Sequence, residues 1–190
     1  MHECEITAID LTRVLVLGCS CSGKSTFARE LSSITGAPHI ELDAINWGPN
    51  WTMRSSDELV AAASAVAETD QWIVDGCYFH LQPILWPRAT AVVWLNYAFH
   101  TVGWRAIKRT LRRVATRERL YSGNRESFHR AFLSRDSILL WVANSYSVRR
   151  REIPQHLKRP EFRRLVIKEF KHPRETRRFL EVLANVNLSD

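Results

Sequence analysis

Short apolar runs alternate along this chain with longer segments whose apolar residues recur at helical spacing. Residues 13–17 are mainly Val and Leu and end at Gly18, a pattern typical of a strand that is buried on both faces. A turn rich in Gly and Ser follows, and residues 24–33 then carry apolar side chains every three to four positions. The pattern predicts a strand, a loop and a helix in that order.

The same reasoning predicts further strands at residues 39–42, 71–74, 90–95 and 164–167, and further helices at residues 55–68, 101–119, 126–149 and 173–184. Ser55 or Ser56 suits the start of its helix as a cap, and Pro173 suits a first turn. Strands that alternate with helices predict an α/β fold with a mainly parallel sheet covered on both sides. At 190 residues, we expect a single domain over residues 1–190.

Composition adds little to this picture. With 45% hydrophobic and 25% charged residues, the chain is typical of a globular protein. It has no apolar stretch of about eighteen residues, and residues 1–10 are acidic where a secretory leader would be basic, so we expect a cytoplasmic protein with no membrane partner. Cys4, Cys19, Cys21 and Cys77 fit neither a disulfide framework nor a zinc site, which favours reduced thiols.

The net charge of +7 is concentrated in one segment. Residues 104–130 contain nine Arg or Lys residues against two Glu, which equals the excess of the whole chain. A segment of this kind indicates a partner that bears phosphate.

One motif is specific for nucleotide phosphates. It fits G-x-x-x-x-G-K-[ST] at every fixed position and lies between a predicted strand and a predicted helix, as its chemistry requires. With the residue after it, the motif predicts these ATP-binding residues: Gly18, Cys19, Ser20, Cys21, Ser22, Gly23, Lys24, Ser25 and Thr26. The competing interpretation is a glycine-rich turn with an accidental lysine. A dinucleotide-binding turn is excluded, because Ser20 stands where its second glycine belongs.

The residue types of the loop explain the expected chemistry. Gly18 and Gly23 let the backbone curl so that successive N–H groups point at phosphate oxygens, and the following helix adds its positive end. Lys24 is expected to reach the β and γ phosphates as a catalytic residue, and the Ser25 hydroxyl to hold Mg²⁺.

With these residues, the chain resembles the P-loop nucleotide kinases, and within them the adenylate-kinase-related topology-modulation proteins. The resemblance spans nearly the whole chain. Beyond the loop it rests on Glu41-Leu42-Asp43-Ala44, Trp47-Gly48-Pro49, Asp75-Gly76-Cys77-Tyr78, Trp86-Pro87-Arg88-Ala89, Gly123-Asn124-Arg125-Glu126 and Ser134-Arg135-Asp136-Ser137.

The resemblance implies a three-layer P-loop NTPase fold with a five-stranded parallel sheet in the order 2-3-1-4-5 and a helical, arginine-rich lid at residues 113–128. It also implies transfer of the ATP γ-phosphate, with Mg²⁺, to a small-molecule acceptor. Glu41 and Asp43 look like the acidic pair of shikimate-kinase-like enzymes, with Glu41 near the metal. Asp43 would orient or deprotonate an acceptor hydroxyl. The alternative for Asp43 is an ordinary helix-capping or turn residue.

The sequence patterns that point to acceptor-binding residues are less specific than the phosphate-binding motif. The expected acceptor-binding residues are Asp43, Trp47, Arg54, Gly76 and Arg88. Phe79 stands where adenylate kinases carry the arginine that binds the monophosphate, so Arg54 or Arg88 would supply that charge, although Arg88 is equally compatible with a surface arginine. Trp47 and Trp51 would contact the substrate or pack the loop. Asn96 stands where related proteins usually carry an aspartate. The resemblance also implies that a loop at residues 168–173 lies beside the adenine.

The basic segment allows three interpretations. As a lid, it would bring Arg109, Arg113, Arg117 and Arg125 over the triphosphate, with Arg113 and Arg117 as catalytic candidates. As a nucleic-acid patch, it would belong to a nucleotide-gated binding protein with weak or no kinase activity, whose affinity for DNA falls steeply with salt. The third interpretation is an inert solvated surface. The motif at residues 18–26, called the phosphate loop below, favours the lid.

Overall fold

The computed structural model describes residues 9–124 and 138–187, and these form an α/β protein built on one sheet. Its five strands are parallel and lie in the order β2-β3-β1-β4-β5, which confirms the predicted order. The strands are β1 (Arg13–Gly18), β2 (His39–Glu41), β3 (Trp72–Asp75), β4 (Ala91–Leu95) and β5 (Val166–Phe170). The helices are α1 (Lys24–Thr35), α2 (Leu42–Asn46), α3 (Ser56–Ala67), α4 (Gln82–Leu85), α5 (Phe99–Thr116), α6 (Ile138–Leu157) and α7 (Pro173–Asn187).

Helices cover both faces of the sheet, which makes three layers. Alternate residues of the central strands point to opposite faces, so Val14 and Val16 of β1 belong to one apolar cluster and Leu15 and Leu17 to the other. The first cluster also contains buried residues of α1, α5 and α7, and the second contains buried residues of α3, α4 and the end of α6. This burial on both faces explains the continuous apolar strands in the sequence.

The strand register sets the position of the polar residues that follow the strands. Glu41 is paired with Asp75 across β2 and β3, and Gly18 is paired with Leu95 across β1 and β4. In a parallel sheet all of these positions lie at the carboxyl edge, where ligands bind in folds of this kind. The phosphate loop and the acidic residues therefore share one edge.

The segment after β2 contains a helix that the sequence pattern did not predict. Strand β2 ends at Glu41 instead of residue 42, and α2 follows it directly. Five residues are too few to show helical periodicity, and Asp43 in the first turn also suits a loop. The capped helix was predicted more closely, because Ser55 and Glu58 form a reciprocal capping box at the start of α3.

Several predicted boundaries are wrong by two or more residues. Helix α5 ends at Thr116 instead of residue 119, because Arg117 adopts a left-handed backbone with φ of 48° that closes the helix. Helix α6 continues past residue 149 to Leu157 and accommodates Pro154; the start predicted for it, residue 126, lies outside the described residues. Strand β5 comes two residues later than predicted and includes Lys168, so residues 168–170 are strand instead of an adenine-binding loop.

Candidate active site

The phosphate loop joins β1 to α1, and its two glycines are needed for close contacts. A Cβ on Gly18, whose φ is 153°, would lie 2.7 Å from Ser22 Oγ and 2.9 Å from the carbonyl oxygen of Leu95. A Cβ on Gly23, whose φ is 96°, would lie 2.9 Å from Arg105 Nη1. A side chain at Gly18 would displace the loop, because the contact is with backbone. At Gly23 the Arg105 side chain can move aside, and it is the positive φ that disfavours other residues.

The start of α1 is open to an anion. Its cap residue, Gly23, offers no side-chain hydrogen bond, and the first turn contains no acidic residue. The first amide N–H groups of a helix have no partner within the helix, and they carry the positive end of its dipole. The loop and the helix therefore present donors of the kind that bind phosphate.

Lys24 lies across this loop, where its ammonium Nζ donates to the carbonyl oxygen of Cys19 at 3.1 Å. Burial on its own lowers the pKa of Lys24, but the nearby groups of Cys77, Asp75 and Asp43 together raise it above its usual value. The lysine is therefore positively charged at neutral pH. Its charge is placed between the phosphate loop and the acidic residues, as a phosphate-binding lysine requires.

Ser25 and Glu41 form the part of the site suited to a magnesium ion. Ser25 Oγ donates to Glu41 Oε1 at 2.9 Å, and the Tyr121 hydroxyl donates to the same oxygen. No cluster of three or more His, Cys, Asp or Glu residues suited to a metal occurs within residues 9–124 and 138–187. Magnesium does not need one, because it keeps several waters and takes further oxygens from phosphate. A hydroxyl and a carboxylate next to the phosphate loop fit this ion.

Asp43 lies in the first turn of α2, and it accepts a hydrogen bond from the Tyr78 hydroxyl at 2.6 Å. Burial, followed by the charge and the hydrogen bond of Asp43, raises the pKa of Tyr78, so the phenol stays protonated and donates. Gly76 allows the two elements to meet, since a Cβ there would lie 3.0 Å from that of Leu42. Asp43 is thus held in place by a neutral donor at the acceptor side.

Asp75 is the third carboxylate at this edge, and it is almost fully buried. His39 Nε2 lies 2.9 Å from Asp75 Oδ2, so the buried carboxylate has a hydrogen-bond partner. Cys77 contacts the start of the phosphate loop, with its sulfur 3.4 Å from the Gly18 nitrogen and 3.2 Å from the Gly18 oxygen. Burial raises the pKa of the Cys19 thiol to about 11, which makes Cys19 unreactive at neutral pH.

Helix α5 contacts the phosphate loop through an arginine that was not among the predicted lid residues. Arg105 Nη1 donates to the carbonyl oxygen of Ser22 at 2.6 Å, and its guanidinium lies 5.1 Å from the Tyr97 ring centre. Of the predicted lid residues, Arg109 is half-buried on α5, and Arg113 Nε lies 4.0 Å from Glu118 Oε1. Arg117 is exposed at the end of the helix, while Arg125 lies outside the described residues.

The predicted acceptor residues do not all lie together. Trp47 packs edge-on against Trp51 with ring centres 5.7 Å apart, beside the Asp43 helix. Arg54 is exposed, and its backbone amide donates to the Asn46 carbonyl oxygen. Arg88 precedes β4, at the amino edge of the sheet, and its Nε donates to the Ala67 carbonyl oxygen at 3.1 Å. Since the phosphate loop follows the carboxyl end of β1, Arg88 is at the wrong edge to bind an acceptor there.

A different arginine lies next to Phe79. The guanidinium carbon of Arg149, on α6, lies 5.1 Å from the Phe79 ring centre, and its Nη1 lies 3.0 Å from Glu152 Oε2. Arg149 is also close enough to Tyr78 for its charge to act on that phenol. An arginine paired with Glu152 therefore lies beside Phe79.

The Asn96 side chain is bonded to the neighbouring strand β5. Its Nδ2 donates to Glu169 Oε1 at 2.6 Å, which ties the end of β4 to the neighbouring strand β5. The amide at this position therefore serves the pairing of two strands.

No family model and no curated protein matches this chain, but solved structures do. A shikimate kinase from Bacteroides thetaiotaomicron aligns with a TM-score of 0.55 and 12% identity, covering 92% of this chain and 97% of that one. A shikimate kinase from Acinetobacter baumannii, solved in complex with shikimate, aligns with a TM-score of 0.53 and 11% identity, covering 99% of this chain and 98% of that one. Within residues 9–124 and 138–187, no helix is long and apolar enough to cross a membrane. At such low identity, the alignments show that this chain shares its fold with these kinases.

Proposed function

We propose that this protein is a phosphotransferase that moves the γ-phosphate of ATP to a hydroxyl group of a small acceptor. The observation that carries the proposal is the arrangement at one sheet edge. The phosphate loop with Lys24, the Ser25–Glu41 pair and the Asp43–Tyr78 pair all lie there. The first group binds phosphate, the second suits magnesium, and the third offers a base to a hydroxyl.

Each group would have a separate role in the transfer. The loop amides and Lys24 would hold the β and γ phosphates, and Lys24 would balance the charge that spreads over the migrating phosphoryl group. Ser25 and Glu41 would hold a magnesium ion, which would neutralise part of the phosphate charge. Asp43 would orient the acceptor hydroxyl and take its proton.

Residues of α5 and the following segment would complete the site. Arg109, Arg113, Arg117 and Arg125, within a lid at residues 113–128, remain our candidates for covering the triphosphate. Closure over both substrates would exclude water, which otherwise competes with the acceptor for the phosphoryl group. Arg105 already ties α5 to the phosphate loop, so the helix that leads into this segment is anchored at the site.

We infer that the acceptor carries a negative charge, because Arg149 lies beside Phe79 and Tyr78 at the acceptor side. Its side chain is 29% exposed, which leaves the guanidinium accessible to a ligand. Guanidinium groups bind carboxylates and phosphates with paired hydrogen bonds. Trp47, Arg54 and Gly76 remain proposed acceptor residues beside Asp43, and Arg88 is dropped because of its place at the opposite edge.

The experiment that tests this function measures ADP release from MgATP with matched acceptors. Nucleoside monophosphates are compared with nucleosides, and small hydroxy acids are compared with their methyl esters. Shikimate is one of the hydroxy acids, because one similar structure is a complex with it. We expect release that depends on both magnesium and an acceptor, and that favours the charged member of a pair. If no acceptor increases ADP release above the rate with water alone, the protein is not a phosphotransferase of this kind.

A substitution in the same assay tests the role of Arg149. Arg149→Ala should raise the KM of the best charged acceptor about 10-fold or more, because a hydrogen bond to a charged group is lost. The KM for ATP should not change. The control is Arg151→Ala, an exposed arginine of the same helix whose Nε donates to the Ser147 carbonyl oxygen. An equal effect of Arg149→Ala on a charged acceptor and its neutral partner would contradict the assignment.

A further inference from the structure

Tyr121 connects two parts of the candidate site that the chain places far apart. Its hydroxyl donates to Glu41 Oε1, the oxygen that also accepts the hydrogen bond from Ser25. Two donors on one carboxylate oxygen fix the direction of that carboxylate. A carboxylate held in this way would help Ser25 to hold a magnesium ion.

The position of Tyr121 is itself set by the acceptor side. The turn at residues 121–124 lies against the loop at residues 47–51, which follows the Asp43 helix. Ser122 Oγ donates to the Trp47 carbonyl oxygen at 2.7 Å. Asn124, which is buried, donates from Nδ2 to the Gly48 carbonyl oxygen at 2.8 Å and accepts from the Trp51 amide at 3.1 Å.

The turn is also rigid within itself. The Leu120 amide donates to the Asn124 carbonyl oxygen at 2.7 Å, and the Asn124 amide donates to the Tyr121 carbonyl oxygen at 3.1 Å. A movement of the acceptor-side loop would therefore carry the turn with it, and Tyr121 would move relative to Glu41. Such a hydrogen-bonded path would carry a change in position without any contact between the two ligands, which a measured coupling has to show.

We propose that Tyr121 is a positioning residue that couples the acceptor-side loop to the magnesium site by holding Glu41. The proposal rests on the proposed function, because it assumes that Ser25 and Glu41 hold the ion that accompanies the nucleotide. Coupling between two sites is reciprocal in binding free energy. An occupied acceptor side that orders this loop would strengthen magnesium binding, and bound magnesium would strengthen acceptor binding.

The test is calorimetric binding of ADP over a series of magnesium concentrations, with a parallel titration in EDTA. Tyr121→Phe removes the hydroxyl and keeps the ring. It should raise the magnesium concentration for half-maximal stimulation of ADP binding about 10-fold, since one hydrogen bond to a charged group is lost. ADP binding in EDTA should not change. The control is Tyr146→Phe, which removes a hydroxyl that donates to the Tyr97 carbonyl oxygen.

A second variant tests the path without touching Glu41 or Tyr121. Asn124→Ala breaks the bonds between the turn and the loop, and we expect it to shift the magnesium dependence in the same direction. In a Glu41→Gln background, Tyr121→Phe should add no further shift. If Tyr121 only stabilises the turn, both variants will lower the unfolding temperature and leave the magnesium dependence unchanged, which would overturn the coupling.

The outcomes separate this proposal from the proposed function. If ADP binding responds to magnesium equally in the unmodified protein and in Tyr121→Phe, the coupling is ruled out and the proposed function is not. A protein that binds no ADP at any magnesium concentration would remove both. A shift in Tyr121→Phe and Asn124→Ala, in a protein that transfers phosphate to none of the acceptors, would support the coupling and contradict the phosphotransferase.

Discussion

Replacing Lys24 with alanine is expected to lower the rate of phosphoryl transfer about 10²- to 10³-fold, the usual cost of one lost donor to transition-state charge. The lysine is half-buried, stays charged, and lies across the phosphate loop. Without it, the loop amides would still bind phosphate, but the charge that develops on the migrating group would lose one of the cations that balance it. The measurement is kcat for ADP release with the best acceptor.

Two controls make the Lys24 result specific. Lys158→Ala removes an exposed lysine at the end of α6 and should leave kcat unchanged. The unfolding temperature of each variant shows whether the fold is kept. If folded Lys24→Ala turns over at the rate of the unmodified protein, Lys24 does not act on the transferred phosphate and the proposed mechanism is wrong.

Asp43→Asn is expected to lower kcat about 10²- to 10⁴-fold, the range for loss of a general base. Asparagine has nearly the same shape and can still accept the hydrogen bond from Tyr78, so the change removes the charge and the basicity while the geometry is kept. The KM for ATP should stay close to its original value, because the phosphate loop is not altered. Steady-state kinetics with the best acceptor measures both quantities.

The alternative role of Asp43 gives the opposite result. If Asp43 serves only the first turn of α2, Asp43→Asn will slightly lower the stability of the fold, because a negative charge near the start of the helix is lost. The value of kcat will then stay unchanged. Asp70→Asn, at an exposed position after α3, is the matched control and should change neither quantity. A normal kcat with a lowered unfolding temperature for Asp43→Asn would contradict its catalytic role.

The phosphate loop was predictable from the sequence because its chemistry is contiguous. The residues to which we assign phosphate binding, Gly18, Gly23 and Lys24, lie within a few positions of one another. Both glycines have positive φ angles, and Gly18 also lies against the Leu95 backbone. The sheet order followed from the resemblance to P-loop kinases and is confirmed. The buried strands were clear since both of their faces are apolar.

The residues that the sequence did not identify act through contacts between distant parts of the chain. Arg105 reaches Ser22 across 83 positions, and Tyr121 reaches Glu41 across 80. Neither has a spacing that sets it apart from other residues of the basic segment. The arginine that we propose for acceptor binding was not predicted for the same reason, because Arg149 lies near Phe79 only once α6 has packed there. A residue that acts across the fold leaves no local pattern.

The wrong boundaries have similar physical causes. Helix α2 is shorter than the window in which helical periodicity is visible, and the end of α5 depends on the left-handed backbone of Arg117. Asn96 stands where related proteins carry an aspartate, but its side chain donates to Glu169 and connects β4 to β5, a side-chain contact that no local pattern shows. Local patterns define elements well, and their ends and partners depend on tertiary contacts.

The central claim is that main-chain amides of the phosphate loop and Lys24 enclose the phosphate groups of a nucleotide. Calorimetric titration of the unmodified protein with ADP and with adenosine, both with magnesium present, tests it most directly. We expect ADP to bind and adenosine to bind at least about 100-fold more weakly, because several charge-assisted hydrogen bonds to phosphate are then missing. Equal affinity for the two compounds, or no binding of ADP, would contradict the account.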